Sequence, residues 1–436
     1  MRSRWPRSAK AASGRRRSWT GSWRSWVMRS DASVRYVPVR ELGDVRTGKQ
    51  LSPASRAGGG QWPYLRVANV YEGHIDYSDV NTMAFSSAER ATYGLRPGDI
   101  LLNEGQENLM MVGRSALYKG EPGAYCFQNT LIRFRPGPAV LPAFAQSVFV
   151  WWRANAVFAG IAEKTSISHL GGSRFGDLRF PLFPISTQQK IVNALESFAE
   201  LERGIEASIA KLRDVRRGTV LMSMASMSAK YPPKGWVRTQ LGNVVPIAEY
   251  GISEALNRDT RGIPVLRMNN VRNGRVDSHE LRYCSISVPQ QLHLRYGDVL
   301  FNRTNSIDHV GKSAMWRDEL PSATFASYLV RLNPDRSRLS PEYLIEWLMH
   351  PAIRQKVRSI STVAVQQVNV NPSRLRELEI DYPADSSEQR RLVSALESCD
   401  EQIAQEEGEL AKLRELKVGL VDDLLSGRVA VSVAGG

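Results

Sequence analysis

The chain has 436 residues, of which 42% are apolar and 23% are charged, and it contains three cysteines. This composition is ordinary for a protein with sizeable packed domains, and no run of about 18 apolar residues indicates a membrane helix. Cys126, Cys284 and Cys399 lie far apart, so the sequence favours neither a disulfide framework nor a zinc site and is compatible with a reducing cytoplasm.

Most of the positive charge lies near the amino terminus. Residues 1–30 contain nine Lys or Arg and no Asp or Glu, so they carry +9 of the formal +14 and leave +5 for residues 31–436. The stretch lacks the apolar core, roughly 7–15 residues long, of a signal peptide. We interpret residues 1–33 as a disordered tail or an extension upstream of a start at Met28. The alternative is a basic arm that contacts nucleic acid.

Residues 34–185 are predicted to form a first globular domain. It combines short β-type runs with one late helix, expected at Tyr64–Val70, Ile100–Leu102, Thr130–Phe134 and near Pro142–Phe158. This order of elements predicts an α+β domain.

A long helix is predicted next, from about Thr187 to Met224 within a helical region at 186–228. Ser186 and Thr187 are suitable N-caps after Pro184. Apolar residues keep the three/four spacing of a coiled-coil seam at Ile191, Leu195, Phe198, Ile205, Ile209 and Leu212. Residues 229–235 contain two adjacent prolines and are predicted to be a linker.

A second domain at 236–385 repeats this order of elements. Its β-type runs and helix are expected at Val299–Phe301, Tyr328–Leu332 and near Pro341–Val357. The last helix, about Ser387–Leu425 within a region at 386–428, carries a second seam at Leu392, Leu396, Ile403, Leu410, Leu413 and Leu420. Gly427 is expected to end this helix, ahead of a short tail at 429–436.

The two halves repeat each other about 200 residues apart. Gln188–Ser197 resembles Gln389–Ser398 at an offset of 201, and Val112–Ala116 resembles Val310–Ala314 at an offset of 198. The matched fragments are strands, turns and helix starts, whereas the intervening residues differ. This pattern predicts one scaffold used twice, with divergent loops, around a pseudo-two-fold axis.

Two long amphipathic helices at equivalent ends of two repeats would each expose an apolar stripe if they stood alone. We therefore predict that they pair antiparallel as a coiled-coil spacer that separates the two globular domains. The alternative is that each helix folds back on its own domain.

The sequence contains no convincing catalytic motif. A methyltransferase needs a Gly-rich cofactor loop and an Asp/Asn-Pro-Pro-aromatic loop, and neither is present. Gly311-Lys312-Ser313 resembles the end of a P-loop, but Ser306 stands where that motif needs glycine. Its repeat counterpart Gly113-Arg114-Ser115 indicates a shared turn instead. The six histidines have no metal-ligand spacing. Three acids lack the spacing of a nuclease cluster: Glu104, Glu107 and Asp308. We predict a binder and scaffold, with no metal site and no catalytic residue.

The helix openings supply the most specific motif, E-Q-x-x-I-V. Glu388-Gln389 opens the second helix after the run Ile380–Pro383, and Gln188 opens the first helix after Phe180–Pro184, without the preceding Glu. Together with the order domain, helix, domain, same helix, these openings resemble the specificity subunit of type I restriction–modification systems. The resemblance covers roughly residues 35–428.

That resemblance implies two target-recognition domains, each reading one half of a bipartite DNA target, with the helices setting the half-site spacing. It implies three kinds of partner: double-stranded DNA, methyltransferase subunits (two are expected), and motor–nuclease subunits. S-adenosylmethionine, ATP and Mg²⁺ would bind those subunits, and this chain would hold no cofactor. The complex would be a type I site-specific deoxyribonuclease and adenine DNA methyltransferase in the cytoplasm. The alternatives are a coiled-coil scaffold without a DNA role and a DNA methyltransferase with a fused recognition domain.

Polar residues in the loops that flank the repeated strands are candidates for DNA contact, because Arg pairs with guanine and Asn or Gln with adenine through two hydrogen bonds. In the first domain these are Asn103, Gln106, Asn108, Gln128, Asn129, Thr165 and Ser166. In the second domain they are Asn302, Arg303, Asn305, Ser327, Tyr328, Gln366 and Gln367. Four residues that repeat identically are better candidates for structure or phosphate contact: Arg66, Asn69, Arg267 and Asn270.

Overall fold

The computed structural model describes residues 34–428, apart from Glu107, 165–167, 224–229, 365–366 and Gly427. The predicted tails at 1–33 and 429–436, the first residue of the predicted linker and the predicted helix stop at Gly427 therefore lie outside the described residues. Within the described residues, no helix is long and apolar enough to cross a membrane.

The chain divides into two units, residues 1–204 with 410–436 and residues 205–409. Each unit, called unit 1 and unit 2 below, contains one globular domain and parts of both long helices. The long helices are α7, Ile185–Ser223, and α11, Ser386–Leu425.

Unit 1 begins with a globular domain of short strands and short helices. Its strands are β1 Arg35–Pro38, β2 Gly43–Thr47, β3 Gln61–Leu65, β4 Val70–Tyr71, β5 His74–Ile75, β6 Asn81–Ala84, β7 Ile100–Asn103, β8 Gly105–Gln106, β9 Ser115–Leu117, β10 Cys126–Phe127, β11 Leu131–Pro136, β12 Glu163–Lys164, β13 Ser168–His169 and β14 Arg179–Leu182. Its helices are α1 Val39–Leu42, α2 Pro53–Ala57, α3 Ser87–Tyr93, α4 Pro142–Ala154, α5 Val157–Ile161 and α6 Gly172–Asp177.

The globular domain of unit 2 has the same character. Its strands are β15 Trp236–Gln240, β16 Ile247–Tyr250, β17 Ile263–Leu266, β18 Val271–Arg272, β19 Arg275–Val276, β20 Arg282–Cys284, β21 Val299–Asn302, β22 Thr304–Asn305, β23 Ser313–Met315, β24 Thr324–Phe325, β25 Leu329–Asn333, β26 Thr362–Ala364, β27 Gln367–Asn369 and β28 Glu379–Pro383. Its helices are α8 Pro341–Met349, α9 Pro351–Ser359 and α10 Pro372–Arg376.

The two domains have the same strand topology. A four-stranded antiparallel sheet has the order β2-β11-β7-β9 in unit 1 and β16-β25-β21-β23 in unit 2. A three-stranded sheet contains the parallel pair β3–β10 in unit 1 and β17–β24 in unit 2. The first and last strands of each domain pair, β1 with β14 and β15 with β28. The repeat in the sequence is thus a repeat of the fold, and each domain is closed by its own ends.

Consecutive apolar residues in β7 and β21 are buried because the four-stranded sheet is covered on both faces. The first and third residues of Ile100–Leu102 pack into the main core of unit 1, and the middle residue packs into a second cluster with Leu65 and Phe127. In unit 2, Val299 and Phe301 pack into the main core, and Leu300 packs into a second cluster. This alternation explains why both runs look uniformly apolar in the sequence.

Two of the sequence predictions merged separate elements. The run Tyr64–Val70 is not one strand, because β3 ends at Leu65 and a 3₁₀ turn follows at Val67–Asn69. The helix predicted near Pro142–Phe158 is interrupted between α4 and α5, where Ala156 adopts a left-handed conformation with φ 58°.

The helix predicted near Pro341–Val357 is also two helices. α8 ends at Met349, and Pro351 begins α9. Proline has no backbone N–H and clashes with the preceding turn, so it starts a helix but does not continue one. The side chain of His350 caps α9 by accepting a hydrogen bond from the backbone N–H of Ala352 at 3.1 Å.

The first turns of both long helices pack on the globular domain that precedes them. Ile191 and Val192 of α7 belong to the main core of unit 1, and Val393 of α11 belongs to the main core of unit 2. For these turns the alternative that each helix folds back on its own domain is the correct one. All twelve predicted seam residues are buried or half-buried.

Farther along, the two long helices contact each other within each unit. In unit 2, Ser208 of α7 donates to Glu406 of α11 at 2.7 Å, and Arg216 of α7 pairs with Asp400 of α11 at 2.6 Å. As the residue number rises on α7 it falls on α11, so the segments run antiparallel. In unit 1, Lys417 of α11 pairs with Glu202 of α7 at 3.1 Å.

The carboxyl end of α11 belongs to the core of unit 1. Leu424 and Leu425 are buried in that core, and the indole N–H of Trp151 donates to Asp422 at 3.2 Å. In unit 2, Arg216 of α7 contacts Glu346 of α8 at 3.0 Å. Each globular domain therefore packs against the start of the helix that follows it and contacts the other long helix as well.

Candidate nucleic-acid interface

The glutamine of each helix opening has a structural role. Gln188 is fully buried, and its side-chain oxygen accepts from the backbone N–H of Leu141 at 2.8 Å. Its amide donates to the carbonyls of Ala139 at 2.9 Å and Phe183 at 2.8 Å. Three hydrogen bonds thus tie the start of α7 to the start of α4 and to the end of the domain. Gln188 is therefore a buried polar residue whose side-chain amide is fully hydrogen-bonded. This residue and its counterpart Gln389 are called the glutamine locks below.

Gln389 makes the equivalent bonds in unit 2. It accepts from the N–H of Ser340 at 2.9 Å and donates to the carbonyls of Arg338 and Pro383, each at 2.8 Å. The repeated helix opening in the sequence drew attention to this glutamine. The spacing of apolar residues did not indicate which backbone groups it would bond.

Asn69 and Asn270 are buried and hold local structure. The Asn69 side chain accepts from the N–H of Arg66 at 3.0 Å and donates to the carbonyls of Asp76 and Asp79 at 3.0 and 2.8 Å. Asn270 makes the same set of bonds in unit 2. Of the two alternatives, structure or phosphate contact, the structure supports the first for both residues, because their polar atoms are occupied and only 2% of each residue is exposed.

Asn103 and Asn302 end the buried strands β7 and β21 and have no exposed surface. A side chain at this depth cannot reach the edge of a base, so these two predictions are corrected. Sequence reasoning treated both as loop residues because they follow an apolar run. The pairing of Asn103 with Leu131 and of Asn302 with Leu329 places them inside the sheet.

The turn at Gly311-Lys312-Ser313 is not a P-loop. The N–H of Gly311 donates to the carbonyl of Asn302 at 2.7 Å, and strand β23 follows at Ser313 where a P-loop would open a helix. The N–H of Gly113 donates to Asn103 in the same way at 3.0 Å. The prediction of a shared turn is confirmed by this matching geometry.

The remaining candidates lie closer to the surface. Asn108 and Gln367 are exposed, Tyr328 is 47% exposed, and four others are half-buried: Gln128, Asn129, Asn305 and Ser327. Thr165, Ser166 and Gln366 lie outside the described residues, as does the side chain of Gln106. These positions stay predictions for DNA contact.

Arg66 and Arg267 are partly engaged by neighbouring backbone. Arg66 donates to the carbonyl of Asp79 at 3.0 Å and to its carboxylate at 2.6 Å, and Arg267 donates to the carbonyl of Glu280 at 2.9 Å. Arg267 also lines a cavity of about 730 Å³ in unit 2 together with Arg272 and Arg275. Three arginines among the lining residues would suit contact with a phosphate.

Acidic residues moderate the charge of this cavity. Arg272 pairs with Asp277 at 3.1 Å. Hydrogen bonds from the backbone and side chain of His279 hold the pKa of the Asp277 carboxyl below its usual value, so this carboxylate remains charged.

Arg303 lies at the surface with partners that the sequence did not suggest. Its guanidinium lies 5.0 Å from the ring centre of Tyr250 and donates to the side-chain oxygen of Asn369 at 3.0 Å. In unit 1, Arg114 lies 5.0 Å from the ring of Tyr71, which is 39% exposed. The aromatic residues are on strands distant in sequence, so no local motif could have linked them to the arginines.

Two of the three acids considered for a nuclease, Glu104 and Asp308, lie in the part of the chain that the structure describes. Glu104 pairs with His169 at 2.9 Å, and Glu107 lies outside the described residues. Among the residues that the structure describes, no group of three His, Cys, Asp or Glu side chains is placed to hold a metal ion.

Comparison with known proteins finds a similar family for the second half of the chain. Residues 233–415 match the model of the type I restriction modification DNA specificity domain. This part of the chain is therefore similar to the DNA specificity domain of type I restriction–modification systems. The chain is 25% identical over 198 residues to the putative type I restriction enzyme MjaX specificity subunit of Methanocaldococcus jannaschii, covering 44% of this chain and 46% of that protein.

A second specificity relative is the type I restriction enzyme EcoKI specificity subunit of Escherichia coli, 21% identical over 310 residues, covering 67% of this chain and 65% of that one. The match thus spans about half of the first relative and just under two thirds of the second. A chain from a solved structure of the type I R-M system has a TM-score of 0.59 and 19% identity, covering 92% of this chain and 100% of that one. This structural likeness supports the α+β fold.

Proposed function

We propose that this chain is the sequence-specific DNA-recognition subunit of a type I restriction–modification complex. The globular domain of each unit would read one half of a bipartite DNA target. The observation that carries the proposal is the use of one topology twice, with a matching glutamine lock at Gln188 and Gln389, while surface residues at the ends of equivalent strands differ. Such a chain is suited to a target whose two halves have different sequences.

The long helices would set the spacing between the half-sites. α7 has 39 residues and α11 has 40, so each is about 60 Å long at a rise of about 1.5 Å per residue. Their antiparallel contacts support a paired spacer. A spacer of this length suits half-sites centred about one turn of DNA apart or somewhat more, one turn being about 34 Å.

The helices also offer two equivalent docking positions. Val215 of α7 is 48% exposed and Leu416 of α11 is 66% exposed, and the two residues are 201 positions apart in the repeat. We propose that two methyltransferase subunits dock at these positions and that motor–nuclease subunits join through the complex. Those partners would methylate adenine and cleave DNA in the cytoplasm, and this chain would recognise the target sequence.

Methylation-sensitive sequencing of a host genome tests the function. The chain is expressed with its methyltransferase partner in one strain, and the partner alone is expressed in a matched strain. We expect a split, two-part methylated motif only where this chain is present. Methylation without a split motif, or a motif that persists without the chain, would contradict the proposal and favour a scaffold. S-adenosylmethionine bound by the isolated chain would instead favour a fused methyltransferase.

A further inference from the structure

Glu104 in unit 1 and Arg303 in unit 2 occupy the same backbone position. The N–H of Glu104 donates to the carbonyl of Thr130 at 2.9 Å, and its own carbonyl accepts from Leu170 at 2.8 Å. The N–H of Arg303 donates to Tyr328 at 3.1 Å. In the same way, the carbonyl of Arg303 accepts from Val370 at 2.8 Å. The offset between the two residues is 199, and each directly follows one of the matching runs Leu95–Asn103 and Leu294–Asn302. The sequence repeat and the hydrogen bonding therefore agree on the equivalence.

Each of these residues has a side-chain partner on the middle strand of a small three-stranded sheet. Glu104 pairs with Nδ1 of His169 on β13 at 2.9 Å, and Arg303 donates to Oδ1 of Asn369 on β27 at 3.0 Å. His169 pairs in register with Gly105, and Asn369 pairs with Thr304. The two domains therefore build the same two-residue pair with opposite charge on its first member.

The backbone hydrogen bonds around this position are equivalent in the two units. The preceding residue is a buried asparagine in both, and the facing turn contains Gly113 in unit 1 and Gly311 in unit 2. Where a side chain supports the fold, as at Gln188 and Gln389, both units keep the same residue. A change from acid to base within an equivalent set of backbone hydrogen bonds indicates that this position serves recognition.

Both pairs reach the surface. The His169 side chain is 44% exposed and that of Glu104 is 17% exposed. The half-buried Arg303 packs beside Tyr250, which is 49% exposed. The carboxylate of Glu104 accepts hydrogen bonds only, whereas a guanidinium has five N–H donors and no acceptor. Glu104 therefore favours a base edge that presents a hydrogen-bond donor, and Arg303 favours a base edge that presents acceptors.

We propose that Glu104 with His169 and Arg303 with Asn369 are specificity-determining pairs, one for each half of the DNA target. Glu104 would accept a hydrogen bond from the exocyclic amino group of a cytosine, and Arg303 would donate two hydrogen bonds to a guanine, because these are the pairings that the major groove allows. The inference rests on the proposed function, since it assumes that each domain reads one half-site. His169 and Asn369 act as positioning residues that fix the orientation of the reading side chain.

The test uses the full chain expressed with its partner subunits and reads the methylated motif from the host genome. Glu104→Gln should relax one position in the first half-site only, and Arg303→Gln should relax one guanine in the second half-site only. The expected loss of discrimination at that position is roughly 5- to 150-fold. Glu121→Gln and Arg295→Gln are matched controls, because both residues are exposed and lie toward the opposite ends of β7 and β21. The controls should leave the motif unchanged.

The failures are distinguishable. If the unaltered chain gives no split motif, the proposed function fails. If it gives a split motif that Glu104→Gln and Arg303→Gln leave unchanged, the specificity pairs are wrong while the function stands. A variant that alters both half-sites equally also overturns the assignment. Should Arg303→Gln reduce the amount of folded protein, Arg303→Met keeps a long side chain that can pack beside Tyr250 but has no hydrogen-bond donor, and it should still lose discrimination for guanine.

Discussion

The side chain of Gln389 accepts a hydrogen bond from the backbone N–H of Ser340 at 2.9 Å and so ties the start of α11 to the start of α8. Two further bonds from the same amide reach the carbonyls of Arg338 and Pro383. The residue is 1% exposed, so water cannot replace these bonds. A buried, fully satisfied amide fixes where the long helix leaves the domain, and unit 1 repeats the arrangement with Gln188.

Replacing Gln389 with leucine should lower the free energy of unfolding by roughly 2–4 kcal/mol, because one N–H and two carbonyls lose their partner inside the protein. The control is Gln405→Leu, at an exposed position of α11 where the side chain bonds only Glu409. That change should cost about 0.5 kcal/mol or less. Urea unfolding of the full chain measures both, and equal effects would show that the lock contributes nothing.

Gly113→Ala should be far more costly than Gly123→Ala. Both glycines have φ +75°, so an added methyl group strains either backbone by about 1–2 kcal/mol. At Gly113 the new Cβ would also lie 2.1 Å from the ring of Phe158, whereas nothing lies within 4 Å at Gly123. Thermal unfolding should separate the two by at least ~2 kcal/mol. Similar midpoints would mean that α5 shifts freely away from the turn.

Glu346 should make unit 2 less stable as pH rises. Burial raises the pKa of this carboxyl above its ordinary value of 4.5, although Arg216 opposes the shift and Asp400 adds to it. The folded protein therefore binds the proton more tightly than the unfolded chain, and stability falls as pH rises above about 4.5 through the folded pKa. Glu346→Gln should gain stability relative to the unaltered protein across that window.

Unfolding measured at several pH values between about 4.5 and 7 tests this sign. Glu401→Gln, which removes an exposed carboxylate from α11, is the matched control. A difference between Glu346→Gln and the unaltered protein that stays constant, or reverses, with rising pH would show that the ion pair with Arg216 outweighs burial.

If methyltransferase subunits dock on the long helices as proposed, Val215→Asp and Leu416→Asp should each weaken the binding of one subunit by about tenfold or more, because a charge would enter an apolar contact. Both side chains are exposed in the isolated chain, so stability should change by no more than about 0.5 kcal/mol. Ala207→Asp and Ala411→Asp are controls at other exposed helix positions. Native mass spectrometry of the complex counts the bound subunits. Full occupancy in the first two variants would exclude these positions as docking sites.

The sequence predicted the repeat, the long helices and their buried faces because these depend on local periodicity. It did not predict which asparagines are buried, since Asn103 and Asn302 read as loop residues until β7 and β21 are paired with strands some 30 residues away. The side-chain partners of Glu104 and Arg303 could not be predicted for a similar reason. These partners, His169 and Asn369, lie about 65 residues farther along the chain, and small deletions shift the offset.

Leu425, the last residue of α11, is fully buried in the core of unit 1, whose first strand begins at Arg35. A ribosome must therefore make nearly the whole chain before this first core is complete. The core of the amino-terminal domain is therefore completed only when the end of α11 has been made. A nascent chain that stalls after residue 409 lacks Leu424 and Leu425, which belong to that core. Loss of the final helical turn would consequently damage the first domain before the second.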